Sequence, residues 1–173
     1  MVLVNDQDEP IGTAPKSEVH TNDTPLHRAF SCFLFNSKGE VLLQQRSHKK
    51  KTWPRVWSNS CCGHPLPGEA GIDAVKRRVK DELGIRPTKL LIAIPYYKYR
   101  AERDGVVEHE ICPVFAGKIN TEPKINPDEV EAIKWMGWNE FVALMKNPNS
   151  GFSEWCIEET ELLAKTEILK SIL

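Results

Sequence analysis

The chain has 173 residues, the size of one typical domain, and no Pro-, Gly- or Ser-rich linker divides it, so residues 1–173 are expected to form a single domain. Its 23 basic and 24 acidic residues leave a formal net charge of -1, so no overall positive field favours nucleic acid as a partner. Residues 1–10 lack a basic leader with an apolar core, and no apolar run is long enough to span a bilayer. We therefore expect a cytoplasmic protein that does not enter a membrane.

The first half of the chain predicts a hairpin and then a helix. Residues 29–35 are apolar and aromatic, residues 36–39 supply turn chemistry, and residues 41–46 form a second extended run. Apolar residues recur at helical spacing over residues 71–83, and Gly84 follows where a helix C-terminus favours a left-handed residue. The helix over residues 71–83 is the element with the clearest pattern.

The second half predicts mostly strands. Extended patterns cover residues 90–100 and 106–119, with turn residues at 103–105, and a further short strand is expected over residues 132–136. Strands mixed with helices that are not in regular alternation are typical of an α+β layer structure.

Two helices are expected near the C-terminus. The first covers residues 139–146, with the side chain of its first residue, Asn139, as the cap. Ser153 is the expected N-cap of a closing helix, in which Trp155, Leu162 and Leu169 recur every seven residues and form an apolar face with Cys156 and Leu163 beside them. This helix is expected to pack on the sheet.

The five cysteines are expected to be reduced. Their number is odd, and Cys61 and Cys62 are adjacent, a spacing that rarely allows a disulfide. Free thiols are therefore available for chemistry or for core packing.

Residues 63–85 resemble the Nudix box, in which Gly, Glu, Arg, acidic residues and a second Gly recur at fixed spacing. Helical positions four apart share a face, so acidic residues there can hold a hard cation that bridges diphosphate oxygens. Arg78 stands where Nudix hydrolases carry a metal-binding Glu, which weakens the case for hydrolysis while a guanidinium can still hold phosphate. Read from charge pairs alone, Arg77, Arg78, Asp81 and Glu82 are equally typical of a solvated, ion-paired helix face.

A set of histidines and glutamates suggests a metal site. Glu108 and Glu110 lie two apart in a strand-like segment and so face the same side, where they repel each other unless a cation or a shared proton intervenes. Imidazole and carboxylate together suit a divalent transition metal. By spacing alone, ordinary polar histidines remain the alternative, and His48 and His109 are expected at the surface.

Three stretches are similar to the signature stretches of type I isopentenyl-diphosphate isomerases. They are residues 20–27, 57–65 and 108–113, in the order of that family. The resemblance implies a Nudix-type α/β/α sandwich with a mixed β-sheet. It also implies an isomerase of isoprenoid biosynthesis, which interconverts isopentenyl diphosphate and dimethylallyl diphosphate by protonation and deprotonation through a tertiary carbocation.

The resemblance implies two metal ions. One is a divalent transition metal, Mn²⁺ or Zn²⁺, whose implied ligands are His20, His27, His64, Glu108 and Glu110. The other is Mg²⁺, bound with the diphosphate, and its implied protein contacts are the Glu82 side chain and the Cys62 backbone.

Four residues receive catalytic roles from the resemblance. Cys62 and Glu110 match two proton-transfer groups on opposite faces of the substrate, and a thiol with an ordinary pKa of about 8.5 transfers protons readily near neutral pH. Tyr99 matches the tyrosine that accompanies the glutamate. Trp155 matches the tryptophan whose π face is offered to the carbocation. The remaining tryptophans and cysteines are expected to pack in the core.

The phosphate-contacting positions of the family fall on Lys16, Arg46, Lys50 and Arg78. Read without the resemblance, the basic run 48–51 is more typical of a solvated loop. Two rival functions follow from these patterns: a hydrolase of nucleoside diphosphate derivatives, and an RNA-binding module that uses residues 46–51. The favoured partner is a small prenyl diphosphate substrate, and the assembly is expected to be a monomer or a homodimer.

Overall fold

The computed structural model describes residues 1–173 and contains twelve β-strands, four α-helices and one 3-10 helix. The strands are β1 (Val2–Val4), β2 (Pro10–Thr13), β3 (His27–Arg28), β4 (Phe30–Phe35), β5 (Glu40–Arg46), β6 (Trp57–Ser58), β7 (Cys61–Gly63), β8 (Lys89–Ile94), β9 (Lys98–Arg103), β10 (Val106–Ile111), β11 (Val114–Lys118) and β12 (Val130–Gly137). The helices are α1 (Lys16–Val19), α2 (Gly71–Leu83), α3 (Trp138–Met145), α4 (Glu154–Leu163) and the 3-10 helix (Glu167–Ser171).

The strands form two mixed sheets. The five-stranded sheet has the order β2-β1-β3-β10-β9, and the larger sheet has the order β12-β5-β4-β11-β8, with β6 on β5 and β7 on β4. Each sheet contains one parallel pair, β10 with β3 and β11 with β4, among antiparallel neighbours. The single mixed sheet expected from the sequence is therefore divided into two.

Strand β4 shows how the helices are layered. Phe30, Cys32 and Leu34 point into the core beneath α2, whereas Phe33 and Phe35 point into the core that α3 and α4 cover. Because side chains alternate along a strand, a strand that is buried at every position serves two cores. This arrangement, helices on both faces of the larger sheet, confirms the α+β sandwich class.

Helix α2 has the predicted bounds. Its C-terminus is closed by Gly84, which has a φ of 66° and donates its backbone N–H to the Lys80 carbonyl at 3.0 Å. A Cβ at this position would lie 2.9 Å from the carbonyl oxygen of Lys124, so the close approach of that segment also requires glycine.

The prediction of two long strands over residues 90–100 and 106–119 is wrong, because each is broken into two shorter strands. Pro95 separates β8 from β9, and Pro113 separates β10 from β11. The chain changes sheet at each proline: β8 and β11 belong to the larger sheet, whereas β9 and β10 belong to the smaller one. A proline has no backbone N–H to donate to a neighbouring strand, and it bends the chain.

The C-terminal expectations need three corrections. Helix α3 begins at Trp138 and not at Asn139, and its N-cap is Gly137. Ser153 does occupy the N-cap position of α4, but its hydroxyl contacts the Ser58 hydroxyl at 2.9 Å and not the helix backbone. Leu162 is exposed and Leu169 lies in the separate 3-10 helix, so these two do not belong to the buried face of α4, whereas Trp155, Cys156 and Leu163 do.

Other elements agree with the sequence or were missed by it. The hairpin of β4 and β5 is present, with Phe35 opposite Val41, and the strand expected over residues 132–136 lies within β12. The N-terminal elements and the short strands β3, β6 and β7 were not predicted, since pieces of two to four residues carry no periodicity. None of the helices combines the length and the apolar character that crossing a bilayer requires.

Candidate active site

A cavity of about 370 Å³ brings together most of the residues that the sequence singled out. Those that line it are Lys16, His20, Arg46, Lys50, Cys62, His64, Tyr99, Glu108, Glu110 and Trp155. The other three, His27, Arg78 and Glu82, lie behind this lining and contact residues within it. Residues from 16 to 155 along the chain therefore meet at one place.

Strand register positions the centre of the cavity. Glu110 on β10 lies between His27 on β3 and Tyr99 on β9, so three functional side chains stand side by side across the smaller sheet. The chain after α1 is tied to the same sheet, because the Val107 N–H donates to the Thr21 carbonyl at 2.8 Å. That contact brings His20 close to Glu108, which lies two residues before Glu110 on the same face.

The three histidines and two glutamates form a compact cluster. One donor atom from each of the five lies within 4.8 Å of the donor atoms of the others. Nε2 of His64 is 2.9 Å and Nε2 of His27 is 3.3 Å from the same carboxylate oxygen of Glu110, and Nε2 of His20 is 2.9 Å from Glu108. This spacing is compact enough for all five atoms to bind a single ion.

Unpartnered polar atoms indicate that this cluster fits a divalent cation. Three of its polar atoms are buried without a hydrogen bond: Nε2 of His20, Nε2 of His27 and Oε2 of Glu108. The His20 and Glu108 atoms lie only 2.9 Å apart. Nδ1 of His27 lies 2.8 Å from the Pro25 carbonyl, which holds the ring proton on that side and leaves the Nε2 lone pair facing the cluster. Burial lowers the pKa of His64, so its imidazole is in the neutral form that binds metals.

Glu110 and Tyr99 form a tight hydrogen-bonded pair. The Tyr99 hydroxyl donates to the second carboxylate oxygen of Glu110 at 2.7 Å. Burial opposes the charge of Glu110, but the close imidazoles of His27 and His64 outweigh burial and hold the pKa of Glu110 well below its usual range. Burial raises the pKa of Tyr99 well above 10.0, so the tyrosine stays protonated and remains a donor. Glu110 is therefore held in one orientation by three neighbours.

Cys62 faces the cavity from β7 as a protonated thiol. Its S–H donates to Oδ1 of Asn59 at 3.0 Å, and its sulfur lies 3.5 Å from the hydroxyl of Ser31, its cross-strand partner. Burial raises the pKa of Cys62 to about 12. The ordinary thiol pKa expected from the sequence is corrected by this burial.

Asn59 and Ser31 were not singled out from the sequence. The side-chain amide of Asn59 donates to the carbonyls of Cys32 and Cys61 at 3.2 Å each, which turns its oxygen toward the Cys62 thiol. Asn59 lies within the stretch 57–65 that carries the family resemblance, so its position was a usable signal. Ser31 lies in an apolar strand and carried none.

Trp155 forms an aromatic wall of the cavity. Its side chain is almost fully buried, and its ring centroid lies 5.7 Å from that of Tyr99 and 5.4 Å from that of Trp53. The guanidinium of Arg46 lies 5.6 Å from the Trp155 ring and is held by the carbonyls of Thr52 and Trp53. Arg46 therefore joins the aromatic wall to the basic side of the cavity.

The basic side of the cavity is built around two acidic residues. Arg78 contacts Glu82 at 2.5 Å and Glu129 at 3.1 Å, and Lys50 contacts both carboxylates as well. Glu82 is almost completely buried and accepts a second hydrogen bond from Gln44 at 3.3 Å. Glu129 lines the cavity and was missed by the sequence reasoning, because no motif contains it.

The loop before α2 is fastened to the helix by Arg77. Its guanidinium donates to both carboxylate oxygens of Glu69, at 2.8 and 2.7 Å, and to the His64 carbonyl at 3.2 Å. A Cβ on Gly63 would lie 3.0 Å from the side chains of Arg78 and Phe30, so a larger residue would require these neighbours to shift by a few tenths of an ångström. The Nudix-like spacing thus fixes the position of His64 relative to the helix.

The basic run 48–51 is largely neutralised by nearby acids. The pairs are His48 with Glu131, Lys49 with Asp128 and Lys50 with Glu129, while Lys51 donates to the Ser17 carbonyl. A surface whose cations are already paired offers little attraction to a nucleic-acid backbone. This pairing speaks against the RNA-binding alternative.

We expect Glu129→Gln to destabilise the protein in a pH-dependent way. Burial disfavours the Glu129 charge, but the hydrogen bond and charge of Lys50, with the charge of Arg78, outweigh burial and lower the pKa of Glu129 from 4.5 to about 2. A carboxylate with a depressed pKa stabilises the fold fully above pH 4.5 and loses this effect as the pH falls toward 2.

Thermal melts of the parent and Glu129→Gln between pH 7 and pH 2.5 test this expectation. The melting temperature of the variant should be about 5 °C lower at pH 7, and the gap should narrow below pH 4.5. Glu131→Gln, whose partner His48 is half exposed, is the matched control and should change little. A gap that stays constant across the pH range would contradict the assignment.

The family model described as NUDIX domain matches residues 25–156. Isopentenyl-diphosphate Delta-isomerase of Saccharopolyspora erythraea is 46% identical over 166 residues, which cover 95% of this chain and 86% of that protein. The proteins of the same name from Paenarthrobacter aurescens and Kocuria rhizophila are 48% and 44% identical and cover 90% and 98% of this chain, and 85% and 94% of their own lengths.

Solved structures of lower identity share the fold. DR0079 from Deinococcus radiodurans aligns with a TM-score of 0.70 at 19% identity, over 92% of this chain and 96% of that one. The MutT protein from Methanosarcina mazei aligns with a TM-score of 0.64 at 21% identity, over 82% and 94% of the two chains. With a Nudix domain over most of its length and relatives of one name at 44–48% identity along nearly the whole chain, the protein belongs to the isopentenyl-diphosphate Delta-isomerase family of Nudix proteins.

Proposed function

We propose that this protein is an enzyme that interconverts isopentenyl diphosphate and dimethylallyl diphosphate in isoprenoid biosynthesis. The observation that carries the proposal is that a thiol, Cys62, and a hydrogen-bonded carboxylate, Glu110, line one cavity together with a five-residue His/Glu cluster. The names and high identity of the relatives support the same activity. The cavity volume of about 370 Å³ is enough for a small diphosphate ester.

The reaction moves a double bond by adding one proton and removing another. Protonation of the terminal alkene carbon creates a tertiary carbocation, and loss of a proton from the neighbouring methylene group forms the internal double bond. No net proton is consumed, so the enzyme needs one group that gives a proton and one that takes it. In our proposal Cys62 and Glu110 are these two groups, with Tyr99 holding the Glu110 carboxyl in place.

The His/Glu cluster can hold a metal ion, and Nudix enzymes use divalent metals. We propose that the ion is Mn²⁺ or Zn²⁺ and that its ligands are His20, His27, His64, Glu108 and Glu110. When bound, it supplies a fixed positive charge that keeps the Glu110 carboxyl acidic. The protein's part is to orient Glu110 through Tyr99 and through the neighbouring strands.

Trp155 protects the reactive intermediate. Its ring is nearly buried and lies beside Tyr99, so the cavity wall at this point excludes water and presents a π face. A desolvated cation over such a face is stabilised by about 2 kcal/mol. Excluding water prevents the carbocation from being captured as an alcohol.

The basic side of the cavity is proposed to hold the diphosphate. Lys16, Arg46 and Lys50 line the cavity, and Arg78 lies directly behind Lys50 and Glu129. The buried carboxylate of Glu82 is the proposed protein ligand of a Mg²⁺ ion that arrives with the diphosphate, together with the Cys62 backbone. Burial and the charges of Lys50 and Arg78 lower the pKa of Lys16, which indicates how closely these cations are gathered.

Replacing Lys50 with methionine should weaken substrate binding more than turnover. Lys50 is mostly buried, and the flanking lysines are engaged elsewhere, Lys49 with Asp128 and Lys51 with the Ser17 carbonyl. Losing the charge-assisted contact of Lys50 should therefore raise KM about 10- to 100-fold. Steady-state kinetics with isopentenyl diphosphate measure the change. Lys76→Met, on the exposed face of α2, is the matched control. An unchanged KM in Lys50→Met would remove this residue from the clamp.

The proposed function is tested by following isopentenyl diphosphate by NMR in deuterated water, with and without a chelator. Without the chelator, we expect the double bond to shift and deuterium to be taken up. With the chelator, both should be lost. Release of phosphate from nucleoside diphosphate derivatives without any interconversion of the five-carbon diphosphates would instead establish the hydrolase alternative.

A further inference from the structure

Glu159 is a fully buried carboxyl group that the proposed mechanism does not yet use. It lies on α4, one helical turn after Trp155, and no cation lies within salt-bridge distance of it. One of its carboxyl oxygens is 3.8 Å from the sulfur of Cys112, and the other has no hydrogen-bond partner. Burial, aided by the nearby charge of Glu110, outweighs hydrogen bonding from Ser31 and Cys112 and raises the pKa of Glu159 well above 4.5, so it is a neutral acid with a proton to donate.

A chain of polar atoms connects this acid to the cavity. The Cys112 sulfur lies 3.5 Å from the Ser31 hydroxyl, and that hydroxyl lies 3.5 Å from the Cys62 sulfur. Each of these side chains carries a single hydrogen, so each can donate only once. The order from the interior outward is therefore Glu159, Cys112, Ser31 and Cys62.

We propose that Glu159 is a positioning residue that orients this chain so that every hydrogen points toward the Cys62 sulfur. As a neutral acid it donates to Cys112, whose S–H is then free for Ser31, whose O–H is then free for Cys62. A charged carboxylate would instead accept the Cys112 S–H, so Ser31 would no longer receive a hydrogen bond from Cys112. The inference rests on the proposed function, because it concerns the proton-transfer role of Cys62.

The arrangement suits a sulfur that alternates between thiol and thiolate. The Asn59 oxygen is an acceptor, so it binds the protonated form of Cys62, in which the S–H donates. The Ser31 hydroxyl is a donor, so it stabilises the thiolate that exists after Cys62 has given up its proton. Glu159 keeps this donor directed at the sulfur and never touches the substrate.

The test compares two substitutions at Glu159 with one at Ser31. Glu159→Gln is neutral and still donates through its amide, so kcat should stay within about threefold of the parent. Glu159→Leu cannot donate, and kcat should fall about tenfold with KM unchanged, the effect of one lost hydrogen bond. Ser31→Ala should show a similar loss, and the double variant Ser31→Ala with Glu159→Leu should be no slower than either alone.

Each outcome decides the matter. Equal losses in Glu159→Gln and Glu159→Leu, additive losses in the double variant, or unchanged kcat in Glu159→Leu would overturn the proposal. If Glu159→Leu does not fold, Cys112→Ala takes its place, because it removes the link between Glu159 and Ser31. A loss of kcat like that of Ser31→Ala supports the proposal, and an unchanged kcat overturns it. The infrared band of a protonated carboxylic acid should be present in the parent and missing in Glu159→Gln, and its absence from the parent would also refute the role.

Failure of this inference is separate from failure of the proposed function. A parent protein that does not isomerise five-carbon diphosphates with any divalent metal added overturns the function itself. A parent that isomerises them, with all four variants equally active, overturns only the role of Glu159.

Discussion

Cys62→Ala is expected to lower kcat for isomerisation by about 10²- to 10⁴-fold, the usual contribution of a general acid or base. Alanine can neither give nor take a proton, and no other thiol lines the cavity. Because Cys62 is only partly buried, the fold and the binding of substrate should survive. The NMR assay gives the rate, while calorimetry and thermal melting report binding and stability.

Cys61→Ala is the matched control for this experiment. Cys61 is adjacent in the chain but points to the opposite side of β7, where it is fully buried among Phe30, Leu34 and Val79. Its loss should cost about 1 kcal/mol of stability and leave kcat within a few-fold of the parent. Turnover near that of the parent in Cys62→Ala would exclude the thiol from the mechanism.

His64→Ala is expected to lower the content of bound transition metal and to abolish activity at ordinary metal concentrations. The substitution removes one of five converging donors and the hydrogen-bond partner 2.9 Å from Glu110. Elemental analysis after dialysis should find close to one transition-metal ion per chain in the parent and clearly less in the variant. Excess Mn²⁺ or Zn²⁺ should restore part of the activity, because four donors remain.

His109→Ala provides the control for metal binding. It lies between Glu108 and Glu110 on β10, but alternation along the strand turns its side chain to the other face. Metal content and kcat should match the parent. Equal metal content in His64→Ala and His109→Ala would show that the cluster is not the metal site.

Local patterns in the sequence predicted a good part of this protein. The helix α2 followed from apolar spacing and from Gly84, and both bounds are correct. The pairing of Glu108 with Glu110 on one face followed from the period of a strand. These features depend on residues close together in the chain, so neither needed knowledge of the tertiary fold.

The breaks at Pro95 and Pro113 were missed because the flanking residues on both sides have strand patterns. Whether the chain continues or changes sheet at such a proline is decided by what each half pairs with, which spacing does not reveal. The same limit applies to the stripe of Trp155, Leu162 and Leu169, where helix α4 ends before the third residue.

Glu129 and Glu159 carried no sequence signal at all. Glu129 contacts Lys50, 79 residues earlier in the chain, and Glu159 contacts Cys112, 47 residues earlier. A buried carboxyl group is recognised only from its surroundings, because an isolated Glu in a sequence is usually a solvated surface residue.

The sequence by itself determined the family, the α+β class, the closing glycine of α2 and the residue types available for metal binding and proton transfer. Only the tertiary structure decided that those residues converge on one cavity and that burial raises the pKa of Cys62 to about 12. It also decided that Glu159 lies next to Cys112, which connects it through Ser31 to Cys62. The physical reason is that spacing in the chain controls which side chains share a helix or strand face, whereas desolvation and long-range pairing depend on which faces are brought together.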